Sequence, residues 1–281
     1  MINLLEFITL NVLRKSDLGY MLSDGKEEVL LHFKQSLSEH EIGDKVKVFI
    51  YSDKANRKTA TEIEPTITLT KPDFVKVVGV AKGAGVFVNI NTPKDVLISK
   101  DYLPYNEDFW PIVDDVILAH LKLRKENVSA KPLSRFDIIG LHKNVLYAEG
   151  EKVKGYVCRL LDKGIGIVTV DYMYVYVPET QLRGNYRFGE EVLVTISKVL
   201  DEEYYGMLNA QKEEMIDSDK ELILNYIKKH NGRIKLTAKT DSSVIERELK
   251  ISRKAFKRAY GGLYKDRIID FDEEGTFLVK E

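Results

Sequence analysis

The chain has 281 residues, 44% hydrophobic and 31% charged, with 18 Gly and 7 Pro. It can bury a core over about two domains by length alone, which excludes a disordered or fibrous chain. No apolar run nears the ~18 residues that cross a bilayer, Met1 to Leu13 carry no secretory signal pattern, and the single cysteine, Cys158, excludes an internal disulfide and a cysteine-based zinc site. A reduced, cytoplasmic protein is expected. The net charge of −1 hides an asymmetry: Lys228 to Arg267 hold thirteen Lys/Arg against Asp241, Glu246, Glu248 and Asp266. A basic patch of that kind is the electrostatic mark of a polyanion partner, although a solvated helix face has the same look.

Three segments repeat one pattern. The first reads Gly19-Tyr20-Met21-Leu22, then Leu30-Leu31-His32-Phe33, then Gly43-Asp44-Lys45-Val46. The second reads Gly85-Val86-Phe87-Val88, Val96-Leu97-Ile98, and Val113-Asp114-Asp115-Val116. The third reads Gly166-Ile167-Val168, Tyr174-Val175-Tyr176-Val177, and Gly189-Glu190-Glu191-Val192. From the first Gly to the last Val the separations are 27, 31 and 26 residues. Val, Ile, Tyr and Phe alternate in period two between Gly/Asp/Asn clusters, which predicts short strands. Each copy restarts the pattern, so each is expected to close as a small barrel. The second and third copies open alike, with Val78-Gly79-Val80 and Val153-Lys154-Gly155-Tyr156-Val157; the first lacks such a strand with Gly and reads as degenerate. Lys131 to Gly150, with Pro132 and Gly140, reads as the longest linker, about which the two halves would move.

The order Val-x-Gly-x-Val, Gly-x-aromatic-Val, an apolar strand, then Gly-Asp/Glu-x-Val resembles the S1-type RNA-binding domain, an OB-fold barrel. The third copy carries the resemblance best and the second less well, with Val113-Asp114-Asp115 where that family prefers Gly-Asp.

From about Asp217 the period becomes 3.6. Ser218-x-x-Glu221 reads as a capping box ahead of Leu222, Ile223, Tyr226 and Ile227, with Gly232 as a C-cap. Ile234 to Leu236 read as a short extended piece. Ser243-x-x-Glu246 caps a second helix ending near Leu249. A third starts at Ser252 and stops at Gly261-Gly262. Ile268 to Phe271 and Thr276 to Val279 read as a hairpin around Asp272-Glu273-Glu274-Gly275. This order is that of a winged helix. At 100° per residue, Ala255, Phe256, Ala259, Tyr260 and Leu263 share one arc of the third helix, and Arg253, Lys254, Lys257 and Arg258 another.

The expected fold is therefore mainly β with a C-terminal α+β domain. It comprises three small S1-type barrels, at 1–64, 65–145 and 146–215, followed by a winged helix at 216–281. That arrangement, with Ile251-Ser252-Arg253-Lys254-Ala255-Phe256-Lys257-Arg258-Ala259 and Gly262-Leu263-Tyr264-Lys265, resembles the conserved virulence factor B family. The resemblance implies RNA binding and an effect on bacterial gene expression, virulence genes included.

Single-stranded RNA needs aromatic platforms for its bases and cations for its backbone. Alternation turns Tyr174 and Tyr176 to one side of their strand, as rings facing solvent. Lys154 and Tyr156 share a face of the opening strand. The cationic arc of the third helix adds Arg253, Lys254, Lys257 and Arg258, and Arg233, Lys235 and Lys265 belong to the same basic patch. Tyr20 and Phe87 occupy the aromatic position of copies one and two, His32 the position of the S1-type His, and Ile167 departs from the pattern. For Tyr20, His32 and Phe87, packing explains the residue as well as binding does.

His32, His40, His120, His142 and His230 are scattered without ligand spacing, and Asp114-Asp115 and Glu190-Glu191 read as turns, so no catalysis, metal or cofactor is expected. The partner expected is single-stranded RNA and no membrane, with oligomeric state open and a monomer favoured. The alternative is a DNA-binding winged-helix transcription factor whose barrels are spacers or protein-interaction modules. An acidic hairpin tip argues against a DNA groove.

Overall fold

The computed structural model describes residues 2–125, 127–141, 146–182, 184–200, 203–208, 212–249, 251 and 253–279, the side chains of 212–218, 246 and 254 apart. The chain forms two compact units, Met1–Leu208 and Asn209–Glu281.

The first unit holds three closed five-stranded barrels. The first is built from β1 (Phe7–Lys15), β2 (Gly19–Ser23), β3 (Glu28–His32), β4 (Lys45–Ser52) and β5 (Lys58–Thr61). The second uses β6 (Asp73–Ala81), β7 (Gly85–Asn89), β8 (Val96–Ser99), β9 (Val116–Arg124) and β10 (Asn127–Pro132). The third uses β11 (Lys152–Leu161), β12 (Gly164–Thr169), β13 (Tyr174–Pro178), β14 (Glu191–Leu200) and β15 (Glu203–Met207). In each, three meandering strands are closed when the fifth pairs parallel with the third and antiparallel with the fourth. Alternate residues face inward: Leu10, Val12, Leu22 and Leu31 in the first, Val75, Val77, Val88 and Ile98 in the second, Val157, Val175, Val177 and Val194 in the third. Closure leaves no free sheet edge inside a barrel.

Hydrogen bonding fixes how the copies correspond. Each opening strand carries a bulge, between Val12 and Arg14, Val77 and Gly79, and Val157 and Arg159. The N–H groups of Gly43, Asp114 and Gly189 donate to the carbonyls of Val12, Val77 and Val157. Those three donor residues all have left-handed backbones, at φ 97°, 77° and 84°. The second copy therefore puts Asp114, not Val113, at the glycine position; Asp tolerates positive φ and a β-branched Val does not. The hairpin glycines that correspond are Gly19, Gly85 and Gly164, so the third copy is shifted by two residues from the Gly166 alignment. A Cβ there would lie 2.1, 2.0 or 2.3 Å from a carbonyl oxygen of the neighbouring strand. The first copy is not truncated: β1 is nine residues long. Gly79 and Gly155 are not equivalent, because Gly155 pairs with Val192 where Leu10 pairs with Val46 and Val75 with Ile117.

The expected linker is largely structured. Lys131 and Pro132 complete β10, and α1 (Arg135–Ile139) follows with a capping box between Ser134 and Asp137; residues 142–145, and with them His142, lie outside the described residues. Ile138 and Leu133 are buried in a core shared with Leu118 of the second barrel and Val168 of the third. Backbone hydrogen bonds also cross between those barrels, from Val116 to the Gly189 carbonyl and from Phe188 to the Phe109 carbonyl, both 3.0 Å. Independent halves on either side of this segment are thus not what forms.

The second unit orders α2 (Lys212–Lys229), β16 (Arg233–Ile234), α3 (Ser242–Leu249), α4 (Arg253–Lys265), β17 (Ile269–Asp272) and β18 (Gly275–Leu278), with the sheet as β16-β18-β17. It is a winged helix around Ile223, Ile227, Ile245, Leu249, Phe256 and Leu263. α2 starts at Lys212, so Ser218 lies inside it rather than capping it, and its side chain is outside the described residues. Gly232, at φ 83°, donates to the Ile227 carbonyl and ends α2. α3 begins one residue before Ser243, with Ile245 donating to the Asp241 carbonyl; the side chain of Glu246 and all of Ser252 lie outside the described residues. α4 does not stop at Gly261-Gly262. Fully buried Leu263 carries its apolar stripe onward, and the α2 side chain of Lys220 packs on Gly262. Tertiary burial outweighs the ~1 kcal/mol propensity cost of each glycine.

Candidate nucleic-acid interface

On the third barrel, Tyr156 of β11 and Tyr174 and Tyr176 of β13, either side of β12, point outward as alternation dictates, but they do not form an open platform. Tyr156 meets Phe74 of the second barrel at 5.2 Å, and Phe74 stacks on Tyr172 at 5.3 Å. The Tyr174 ring lies over Gly166, whose added Cβ would come within 2.3 Å of its hydroxyl. Gly166 stands where Phe87 stands in the second barrel, since both pair across the bulge with Arg159 and Gly79. An aromatic from the next strand thus fills the space of the missing ring. Above Tyr174 sits the Arg135 guanidinium, 5.2 Å from the ring centre, itself paired with Glu203. Burial pushes the Tyr174 hydroxyl up to about 12. The expectation that both rings face solvent is corrected here: α1 covers Tyr174. Tyr176 is half-buried, edge-on to Tyr205 at 6.1 Å, and its hydroxyl donates to the Lys163 carbonyl at 2.7 Å. Lys154 is paired with Glu191 at 2.8 Å, a hydrogen bond that raises its pKa. Ile167 is buried in the barrel core.

In the first barrel Tyr20 points inward, 2% exposed, with its hydroxyl accepting from the His40 N–H. It does not share a position with Phe87, because Tyr20 pairs with Lys15 beyond the bulge while Phe87 pairs with Gly79 at it. His32 serves the backbone: its Nδ1 accepts from the Lys34 N–H at 3.0 Å and caps the 3-10 turn Phe33–Gln35. Phe87 alone of these three is an exposed aromatic, beside a small cavity shared with Tyr51 and Asn56 of the first barrel.

In the winged helix, Lys257 is exposed, and Arg253 and Arg258 are half-buried on the α4 face away from the core. The three cations fall where helical phase predicts; the Lys254 side chain lies outside the described residues. Arg258 is partly committed, 3.7 Å from buried Asp219 of α2. Arg233 holds Asp272 of the hairpin through two 2.8 Å contacts and stacks over Phe277 at 4.8 Å. Its guanidinium keeps the Asp272 carboxyl below the usual carboxylate range, hence ionised, while the paired cation offsets part of the negative charge at the hairpin tip. Lys235 and Lys265 are exposed.

A cleft of about 1060 Å³ between the second and third barrels is lined by Tyr102, Tyr105, Phe109, Arg159 and Tyr186, among others. None of these five stands out in the sequence pattern. Tyr105 is fully exposed, and its signal, an aromatic in the polar loop Pro104-Tyr105-Asn106, is present but not periodic.

Residues 6–62 match the S1 domain family, residues 73–128 the CvfB first S1-like domain and residues 221–278 the CvfB-like winged helix domain. The copy that reads as degenerate is therefore itself of S1 type. The chain is 30% identical to the uncharacterized protein YitL of Bacillus subtilis, over 98% of this chain and 93% of that one. It is 29% identical to conserved virulence factor B of Staphylococcus haemolyticus, over 91% and 87%. A crystal structure of a multidomain protein with nucleic acid binding domains from Streptococcus pneumoniae superposes with a TM-score of 0.68, at 25% identity and 98% coverage of both chains. With tandem S1 barrels, the winged helix and near full-length kinship in hand, the chain belongs to the conserved virulence factor B family.

Proposed function

We propose that this protein is a non-catalytic RNA-binding regulator of bacterial gene expression, virulence genes among its targets, that binds single-stranded RNA in the cytoplasm. A nucleic-acid-binding role follows from its S1 domains and its kinship; the choice of RNA, and of single strands, is our reading. The observation that carries it is the joining of three S1 barrels to a winged helix whose α4 turns cations, not acids, away from the core. Phosphates are what such a face neutralises. Among the described cations of this face, Lys257 is more exposed than Arg253 and Arg258, and Arg253 adds to it. With α1 over Tyr174, the open surface of the first unit lies elsewhere, in the cleft bounded by Tyr105 and Arg159 and at Phe87. Among the described residues no helix is long and apolar enough to cross a membrane.

The test compares the affinity of the full chain for a single-stranded RNA, the same sequence as duplex DNA, and duplex RNA, by fluorescence anisotropy at one salt concentration. Tightest binding to the single strand, with the RNA recovered intact after incubation with magnesium, is the expected result. Preference for duplex DNA would replace this reading with the transcription-factor one, and RNA cleavage would refute the non-catalytic part.

A further inference from the structure

We propose that Tyr264 and Phe271 of the winged helix form a stacking site for an unpaired nucleobase of single-stranded RNA, with the cations of α4 holding the adjoining phosphates; this rests on the RNA reading above. The two rings meet at 5.4 Å with planes inclined by 45°, and they stay 48% and 51% exposed. Two large aromatic side chains from different elements share a surface that the domain core has not covered. Their position is set by phase. At 100° per residue, Tyr264 falls between Arg253 and Lys257 in angle around α4, about 10 Å along the axis beyond Lys257. Gly261 lies on the same side with nothing within 4 Å of where its Cβ would be, so the path from Lys257 to Tyr264 is open. Lys265 and Arg267, both exposed, follow Tyr264 in the chain.

Of the neighbouring acids, Asp266, Asp270 and Asp272 are turned away or engaged and Glu274 is drawn to Arg233 at 3.4 Å, while Glu273 is exposed at the hairpin turn. Alternation in β17 puts Phe271 on the face of Ile269 and sends Asp270 and Asp272 to the other. Asp272 is held by Arg233 there, and Asp266 is paired with Lys220 at 2.7 Å. A line of cations leading to an exposed aromatic pair is the composition of a single-strand site, in which every base has a π-face to offer and the backbone tracks the charge. The site adds base contact to a helix whose other outward residues carry charge alone.

The experiment uses the full chain, wild type and a Tyr264→Leu/Phe271→Leu variant, with a short RNA carrying 2-aminopurine at successive positions. Leu keeps apolar bulk and removes the π-face. The expected result is quenching of 2-aminopurine at one or two positions with wild type and its loss in the variant. Affinity should fall about 5- to 150-fold per lost stack, with the slope of log affinity against log salt unchanged. Equal affinity of wild type and a folded variant overturns the inference and leaves the RNA reading standing. So does a flattened salt slope, which would mean that the rings only hold the cations. If the variant unfolds, quenching in wild type still decides: uniform fluorescence at every position of a bound RNA overturns the inference. A wild-type chain that binds no RNA overturns the functional reading itself.

Discussion

Single side chains in the third barrel are tied together more closely than their strand pattern suggests. Tyr174 rests on Gly166, under Arg135 and beside the shared core of Leu133 and Ile138. Tyr174→Ala is expected to lower stability by about 1–3 kcal/mol, the scale for uncovering a large apolar side chain. Gly166→Ala should expel the same ring at similar cost. Because both changes remove one packing arrangement, the double variant should cost less than the two added; urea midpoints of the full chain give all three values. Tyr176→Ala should cost only the ~0.5–1.5 kcal/mol of its hydrogen bond to Lys163. Alkaline pH probes the same region. Burial pushes the Cys158 thiol up to about 12 and the hydroxyls of Tyr147, Tyr172 and Tyr174 to about 12. Below about pH 9 both folded and unfolded chains keep these protons, so stability is unaffected. Above it the unfolded chain releases the thiol proton first, then the tyrosine protons from about pH 10, while the folded chain holds them to about 12. Stability should therefore fall by about 1.4 kcal/mol per pH unit for each group titrating. Urea titrations at pH 8, 9.5 and 11 follow the fall. Cys158→Ala should abolish the part between about pH 9 and 10, and an unchanged profile in that variant would show that the thiol is not protected.

At the scale of the element, α4 divides its outward cations between one engaged by α2 and others left toward solvent. Arg258 leans on Asp219 and its loss should weaken the domain, whereas Lys257 is exposed and Arg253 half-buried. Gln at Arg253 and Lys257 keeps helix propensity and removes charge. If each touches a phosphate, the slope of log affinity against log salt should flatten by about 0.7 per contact on a single strand, with the ranking of two unrelated RNAs preserved. Gly261→Ala, in the interior of the same helix and facing open space, should raise the stability of the winged helix by about 0.5–1 kcal/mol, read by thermal melting. Elements of this kind are mostly legible in the sequence. Period-two runs such as Tyr174 to Val177 mark strands, and period-3.6 runs such as Ala255 to Leu263 mark helices, because each strand or helix buries one side. Register is not legible, since it depends on hydrogen bonds between strands. Hence the shift from Val113 to Asp114 and from Gly166 to Gly164. The end of α4 is hidden because glycine propensity is local and the burial of Leu263 is not. The covering of Tyr174 is hidden for the same reason: nothing within β13 announces that α1, separated from it by two whole strands, packs on it.

Over the whole molecule, the boundary that matters is at Leu208 rather than in the segment from Lys131 to Gly150. The second and third barrels are joined by the core of Leu118, Leu133, Ile138 and Val168. The rings of Phe74 and Tyr172 stack across the joint, and the Tyr172 hydroxyl donates to Asp73 at 3.0 Å. Arg187 of the third barrel reaches Asp115 of the second at 3.4 Å, next to the two backbone bonds through Gly189 and Phe188. Contacts of this kind persist when the chain is cut at 142–145, because each of them is made by residues outside the cut. A specific protease site placed at 142–145 of the full chain should thus give, after cleavage, two pieces that still elute together in size-exclusion chromatography. The cut removes the effective concentration that the tether supplies, so the pieces should become separable on dilution sooner than an uncut chain unfolds. A second site between Leu208 and Lys212 should leave the unfolding transition of the 1–208 piece where it stands in the intact protein, since the barrel cores end before it. Immediate separation after cleavage at 142–145 would show the second and third barrels to be independent domains on a flexible tether. The covering of Tyr174 by α1 would then be a passing contact, and Tyr174 would return to the surface available to RNA.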